Sequence, residues 1–181
     1  MFGLRTLDER HDMDAGAPRI VGPQDGKAGW LGSIGVRFML GGADTDERVA
    51  LVEHPMPPHA LAAPLHRHNR EDEYSFVLEG SMGALLGDDV VTAGPGDFVF
   101  KPRNQWHTFW NAGDQPARIL EIISPAGFER FFEEIVDLGG AAQAEPEALG
   151  GLAARYELDI RPETVPELLE RFGLQMPPPP A

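Results

Sequence analysis

The sequence predicts an all-β domain of the sandwich or barrel type. The 181 residues include 21 glycines and 17 prolines, a content that favours many short strands over long helices. Between residues 30 and 124, short apolar segments are separated by turn sequences such as Gly87-Asp88 and Gly94-Pro95-Gly96. Short strands at such spacing are typical of two packed sheets or of a closed barrel.

The first predicted strands are marked by apolar residues at alternate positions. Ile34, Val36 and Phe38 show this pattern, which places one face of a strand against a core. Further strand candidates, by position, are 49–51, 74–78, 84–86, 89–92, 98–100, 107–110 and 118–123.

The apolar period changes from two to about 3.6 after residue 125. Apolar residues from Phe128 to Leu138 share one helical face, which predicts a helix over 126–138 packed on the strands, with no cofactor role. Two more short helices are predicted over about 146–156 and 162–172. The predicted organisation is an N-terminal arm (1–28), a strand domain (29–125), a helical extension (126–176) and a proline-rich tail (177–181).

The charge of the chain excludes several classes of partner. Lysine and arginine total 15 against 29 acidic residues, which gives a formal net charge of −14. Such a field repels phosphate backbones and anionic lipid, so we expect neither nucleic acid nor membrane as a partner. We expect a cytoplasmic protein, because the sequence shows no bilayer-length apolar run and no signal peptide. The absence of cysteine excludes disulfides, thiolate metal sites and cysteine nucleophiles.

One segment carries the side chains of a metal site. His66 and His68 are two residues apart, so on a strand both imidazoles point to the same face. Glu73 follows at the start of the next apolar run. Two neutral imidazoles and a carboxylate are a competent ligand set for a divalent first-row metal. Later in the chain, His107 begins another strand after a turn marked by Pro102.

These two segments resemble the two motifs of the cupin superfamily. The first motif is His-x-His, four residues, Glu, six residues, Gly, and it is matched without a gap from His66 to Gly80. The second is Gly, five residues, Pro, four residues, His, three residues, Asn, matched from Gly96 to Asn111. In two places this sequence has Ala60 and Asn104 where the family usually has glycine. Asparagine tolerates a left-handed backbone better than most residues, and neither change affects a ligand.

The resemblance implies a single-domain cupin, a double-stranded β-helix or jelly-roll barrel. It implies that four side chains bind one divalent transition metal, namely His66, His68, Glu73 and His107. The metal could be Fe, Ni, Co, Mn, Cu or Zn, since these donors suit all of them. A six-coordinate ion would keep two open positions for a substrate, or for a substrate and dioxygen.

Other polar side chains near the motifs are predicted to lie outside the metal site. Glu71 and Asp72 are interpreted as a solvated acidic turn, because only Glu73 has the motif spacing. The three histidines outside the motifs, His11, His54 and His59, are expected not to be ligands. Strand alternation places three residues on the same face as neighbouring ligands, and these are candidates for a substrate pocket: Ser75, Val77 and Phe109.

Three hypotheses for function remain open. The first is a dioxygenase of the quercetin 2,3-dioxygenase-like type acting on a small hydroxylated or enolisable substrate, in which Glu73 is both metal ligand and general base. The second is a metal-dependent isomerase, epimerase or lyase of a small sugar or keto acid. The third is a non-enzymatic module that binds a small molecule. The resemblance and the strand edges of a jelly roll also predict a homodimer.

Overall fold

The computed structural model describes residues 18–179 and consists mainly of antiparallel strands. The strands are β1 (Ala28–Trp30), β2 (Gly35–Leu40), β3 (Ala50–Met56), β4 (Leu65–His68), β5 (Asp72–Glu79), β6 (Met82–Leu86), β7 (Asp89–Ala93), β8 (Phe98–Lys101), β9 (His107–Asn111), β10 (Ala117–Ser124) and β11 (Leu158–Arg161). They form a six-stranded sheet in the order β1-β2-β3-β10-β5-β8 and a five-stranded sheet in the order β11-β4-β9-β6-β7.

The helices are short and lie mostly after the last barrel strand. They are α1 (Gly42–Thr45), α2 (Glu129–Asp137), α3 (Pro146–Arg155) and α4 (Val165–Phe172), with a 3₁₀ turn at Pro162–Thr164 before α4. The three helices predicted over 126–138, about 146–156 and 162–172 thus correspond to α2, α3 and α4. Helix α1 and strands β1 and β11 were not predicted from the sequence.

The core lies between the two sheets and is apolar at both ends. One apolar cluster joins Val77 and Ile119 of the larger sheet to Met82 and Phe109 of the smaller one. The other joins Val52 and Ile123 to Phe128 and other residues of the helical extension. Between these clusters the inner faces of β5, β8 and β10 carry charged or hydroxyl side chains, all of them buried: Glu73, Ser75, Lys101 and Glu121. The space between the two sheets therefore contains a polar layer, and Glu73, one of the predicted ligands, lies in it.

The outer face of the larger sheet is unusually apolar where β5 and β8 pair. Phe98 and Phe100 of β8 remain 62% and 51% exposed, and their rings lie against Phe76 and Tyr74 of β5. An antiparallel sheet with one solvated face usually has polar residues there. This surface is compatible with the predicted homodimer, which stays a prediction.

The C-terminal extension completes the smaller sheet. Strand β11 pairs antiparallel with β4, so that Leu158 lies opposite His68 and Ile160 opposite His66. Helix α4 packs through Leu168 on Trp110 and its neighbours. The extension thus covers the outer edge of the strand that carries two of the predicted ligands.

The turn before His107 explains one departure from the expected motif. Asn104 has a φ of 65°, in the left-handed region that favours glycine and is tolerated by asparagine. Its backbone N–H donates to the carbonyl of His68 at 2.7 Å. This turn therefore connects the two motif segments directly.

The predicted organisation can be compared only where the structure describes the chain. Residues 1–17 of the predicted arm, with His11, and residues 180–181 of the predicted tail lie outside the described residues. The boundaries at 28, 125 and 176 stay predictions. Among the residues that the structure describes, no helix is both long enough and apolar enough to cross a bilayer.

Candidate metal centre

The four predicted ligands meet between the two sheets. His66 and His68 come from β4 and His107 from β9, two neighbouring strands of the smaller sheet in which His66 pairs with His107. Glu73 comes from β5 of the larger sheet. One donor atom from each of the four lies within 4.8 Å of the others, and all four side chains are buried. The two-residue spacing places both β4 imidazoles on the inner face, as predicted.

The donor atoms converge without satisfying one another. His68 Nε2 lies 3.4 Å from Glu73 Oε1, and His107 Nε2 lies 3.4 Å from Glu73 Oε2. Both Nε2 atoms are buried, and neither has a hydrogen-bond partner. Unpaired polar atoms in a protein interior are costly, and a cation accepting all four lone pairs would remove that cost. The arrangement therefore fits a divalent transition metal.

The protonation states of the ligands also suit a metal. Burial alone would raise the pKa of Glu73, but the neighbouring His68, Lys101 and His107 hold it well below its usual range. Burial lowers the pKa of His66 well below its usual range and lowers that of His107. The carboxylate is ionised and these imidazoles are neutral near pH 7, which are the forms that bind a metal.

A buried lysine lies directly behind Glu73. Lys101 Nζ is 3.0 Å from Glu73 Oε2 and donates to Glu121 Oε2 at 2.8 Å. The same Glu121 oxygen accepts a hydrogen bond from Ser75 Oγ at 2.8 Å. The ammonium also lies 4.5 Å from the ring centroid of Phe109. Lys101 therefore supplies the cation that two buried carboxylates share.

In this polar layer one cation, Lys101, contacts two carboxylates, Glu73 and Glu121, and these contacts shift the pKa values of all three groups. Burial lowers the pKa of Lys101, but Glu121 and Glu73 together raise it above its ordinary value. Burial raises the pKa of Glu121 to about 7, against the opposing effect of Lys101. Glu73 is the ionised carboxylate of the layer, and Glu121 is the one that gains a proton as the pH falls below about 7.

The predicted pocket residues lie between the two sheets, in two different environments. Ser75 belongs to the polar layer through its bond to Glu121. Val77 and Phe109 belong to the apolar cluster that also contains Ile119 and Met82. All three are buried, and their role in holding a substrate stays a prediction.

An aromatic side chain from the extension borders the metal ligands. The ring of Phe128, just before α2, lies edge-on to His68 with centroids 4.2 Å apart. Phe128 also stacks on Phe131 at 4.9 Å. The extension therefore covers one side of the candidate centre with apolar rings.

The prediction that Glu71 lies in a solvated turn was wrong. Its side chain is only 3% exposed, and its Oε2 lies 3.9 Å from His68 Nδ1. The turn from β4 to β5 folds this carboxylate inward towards the ligand. Asp72 lies closer to the surface, where it forms an ion pair with Arg103 at 2.7 Å.

Two histidines outside the motifs have structural partners of their own. His54 Nδ1 is hydrogen-bonded to the carbonyl of Gly35 at 2.8 Å in the core, and His59 Nε2 is hydrogen-bonded to the Asp114 carboxylate at 2.8 Å. Neither belongs to the cluster of four donors.

Burial of His54 predicts a pH dependence of stability. Burial lowers its pKa from 6.5 to about 4, despite the bond to Gly35. Between those values the unfolded chain binds a proton that the folded chain does not, so stability is lost as the pH falls. From pH 7.5 to 5, we expect this histidine to cost the metal-free protein about 2 kcal/mol.

The variant His54→Gln isolates this contribution, because glutamine does not titrate and the comparison of two pH values cancels the effect of the lost ring contacts. Urea unfolding with chelator present should show that the free energy of unfolding falls less between pH 7.5 and pH 5 in the variant than in the wild type. Equal losses in the two proteins would contradict the prediction.

Comparison with known proteins identifies the family. A family model of the cupin domain matches residues 52–123, the stretch that contains all four ligands. The chain contains a cupin domain. The resemblance carried by the two histidine motifs is thereby confirmed, and so is the predicted all-β cupin jelly roll. The two sheets pack face to face, and no ladder between described residues joins them.

The relatives of this cupin domain have several activities. The chain is 33% identical over 60 residues to the tetracenomycin polyketide synthase protein TcmJ of Streptomyces glaucescens, covering 33% of this chain and 40% of that protein. It is 29% identical over 86 residues to quercetin 2,3-dioxygenase of Bacillus subtilis (strain 168), covering 46% of this chain and 25% of that protein. The chain thus spans less than half the length of these curated relatives.

A solved structure supports the fold over a longer stretch. The polyketide cyclase RemF from Streptomyces resistomycificus superposes with a TM-score of 0.51 at 30% identity. The match covers 60% of this chain and 80% of that one. The similarity thus extends well beyond the two motifs.

Proposed function

We propose that this cupin is a metal-dependent enzyme acting on a small hydroxylated or enolisable organic substrate, in the first place a dioxygenase. The observation that carries the proposal is the convergence of four buried donors, three from one sheet and Glu73 from the other. Four protein ligands leave two positions of a six-coordinate ion open for chemistry. The similarity to quercetin 2,3-dioxygenase supports the choice of reaction.

When bound at this site, a divalent metal would polarise a substrate oxygen and supply open coordination positions. The chain itself supplies the base. The Glu73 carboxylate is ionised and takes the proton of the substrate hydroxyl. Lys101, 3.0 Å from Oε2, keeps the carboxylate oriented while that proton is held. The surrounding apolar rings, Phe128 and Phe109 among them, exclude bulk water.

A second candidate is a metal-dependent reaction that consumes no oxygen. The similarity to RemF, described as a polyketide cyclase, and to TcmJ, described as a polyketide synthase protein, favours this second candidate. The same ionised Glu73 would remove a proton from an enolisable carbon or hydroxyl, and the product would form by ring closure, isomerisation or elimination. Oxygen uptake separates the two candidates.

The test combines metal analysis with oxygen consumption. We expect about one metal ion per chain, and oxygen uptake with at least one member of a panel of flavonols, catechols and diketones. Stoichiometric metal and product formation without oxygen uptake would favour the second candidate. Metal with no turnover of any panel member would favour a binding module, and absence of metal would overturn the proposal.

Replacing the base gives a sharper prediction. We expect Glu73→Gln to lower kcat by about 10²–10⁴-fold, because an amide cannot take a proton. Some metal should be retained, since the amide oxygen and three imidazoles can still bind it. The measurement is steady-state turnover normalised to bound metal. The control is Glu79→Gln on the exposed end of the same strand, where the side chain pairs with Arg118. Unchanged kcat in Glu73→Gln would remove the base role.

A further inference from the structure

The three imidazoles of the candidate centre are not fixed in the same way. His66 Nδ1 is hydrogen-bonded to the carbonyl of Pro64 at 2.8 Å. His107 Nδ1 is hydrogen-bonded to the carbonyl of Gln105 at 3.1 Å. In both cases a carbonyl two residues earlier accepts the Nδ1 proton and leaves the Nε2 lone pair for the metal. Such a partner orients a ligating histidine and selects its tautomer.

His68 has no such carbonyl. Both of its ring nitrogens are buried, and neither has a hydrogen-bond partner. Its Nε2 faces Glu73, as described above. Its Nδ1 faces the carboxylate of Glu71, whose Oε2 is also buried without a partner and lies 3.9 Å away. Two complementary unpartnered groups thus face each other across a gap about 1 Å longer than a hydrogen bond.

We propose that Glu71 is a positioning residue that accepts the Nδ1 proton of His68 and holds its Nε2 lone pair towards the metal. A hydrogen bond between the two groups would satisfy both atoms. Without this contact both groups stay buried and unpaired, which is unfavourable in a protein interior. The inference rests on the metal site of the proposed function, but it concerns a residue outside the cupin motifs.

The position of Glu71 in the chain makes this role specific. It lies three residues after His68, in the turn between β4 and β5, with a side chain only 3% exposed. The next residue, Asp72, is also acidic, but its carboxylate accepts both hydrogen bonds from the Arg103 guanidinium. Two adjacent carboxylates therefore have different partners, and only one faces a ligand.

The test compares three variants by metal affinity. Competition with a chelator would give the Kd for Co²⁺ in the wild type, Glu71→Met, Glu71→Gln and Asp72→Asn. We expect Glu71→Met to weaken binding by 10–100-fold, as is typical when the partner of a ligating histidine is removed. Glu71→Gln should lose less affinity for Co²⁺ than Glu71→Met, because its amide oxygen can still accept a hydrogen bond from His68 Nδ1. Asp72→Asn should bind as the wild type does.

A second measurement reports on the contact without any metal. Long-range ¹H–¹⁵N NMR of the metal-free protein should show His68 protonated at Nδ1 in the wild type and a mixture of tautomers in Glu71→Met. Wild-type affinity in Glu71→Met, or a His68 protonated at Nε2 in the wild type, would overturn the proposal. A wild-type protein that binds no Co²⁺ would instead overturn the proposed function, while the tautomer would still decide the Glu71 contact.

Discussion

The double variant His66→Ala/His68→Ala is expected to lose stoichiometric metal while keeping its fold. It removes two of four ligands and leaves one imidazole and one carboxylate at the site. If the four ligands share a binding free energy of about 10–16 kcal/mol, losing two weakens binding by about 10⁴-fold or more. The fold should survive, because the larger sheet and the Lys101 contacts to Glu73 and Glu121 do not involve these imidazoles.

Elemental analysis after gel filtration measures the metal, and far-UV circular dichroism measures the fold. The control is His59→Ala, which removes a histidine that pairs with Asp114 away from the four-donor cluster. The control should retain the wild-type metal content. Full metal content in the double variant would show that the metal, if present, binds elsewhere.

The cluster of four candidate ligands could be predicted from the sequence because part of its signal is local. Residues two apart on a strand share a face, so the His66–His68 spacing alone places both imidazoles at one point. The remaining ligands came from the spacing of two family motifs, which the family model matches over residues 52–123. The turn at Asn104 was predictable for the same reason, since its backbone conformation depends on its own side chain.

The residues that support the ligands could not be predicted in the same way. Glu71 belongs to a polar segment of the kind found in exposed turns. Only the path of the chain between β4 and β5 points its side chain inward. Strand β11 was missed because its short segment is paired through β4, a partner about ninety residues earlier in the chain. Both depend on tertiary packing, which overrides local propensity.

Lys101 lies between these two cases. Strand alternation in Phe98-Val99-Phe100-Lys101 places the lysine on the inner face with Val99, so its burial could have been inferred. Two exposed phenylalanines on the outer face make the pattern the reverse of a usual solvated strand. The partners of Lys101 on β5 and β10 could not be inferred, because they depend on the strand order of the sheet.

Replacing Lys101 is expected to destabilise the metal-free protein strongly. The variant Lys101→Met keeps most of the apolar length of the side chain but leaves Glu73 and Glu121 buried without their shared cation. Removing one partner of a buried ion pair costs about 3–5 kcal/mol. That is a large part of the roughly 5–15 kcal/mol by which a domain of ordinary stability is folded.

The chain offers a matched control, since Lys27 is its other lysine. Lys27 pairs with Asp137 at 2.7 Å on the surface, where an ion pair contributes less than about 1 kcal/mol. Urea unfolding with chelator should therefore give a much larger loss for Lys101→Met than for Lys27→Met. A loss for Lys101→Met within about 1 kcal/mol of the control would contradict a buried charge network.

Glu121 provides an internal check on the cause. Burial already raises its pKa to about 7 in the presence of Lys101, so without that cation it should hold a proton more tightly still. The proton neutralises one of the two carboxylates, and the loss in Lys101→Met should be smaller at pH 6 than at pH 8. The double variant Lys101→Met/Glu121→Gln has an uncharged side chain at position 121 at every pH. It should therefore recover part of the stability at pH 8 and little at pH 6, which separates the loss of charge from a loss of packing.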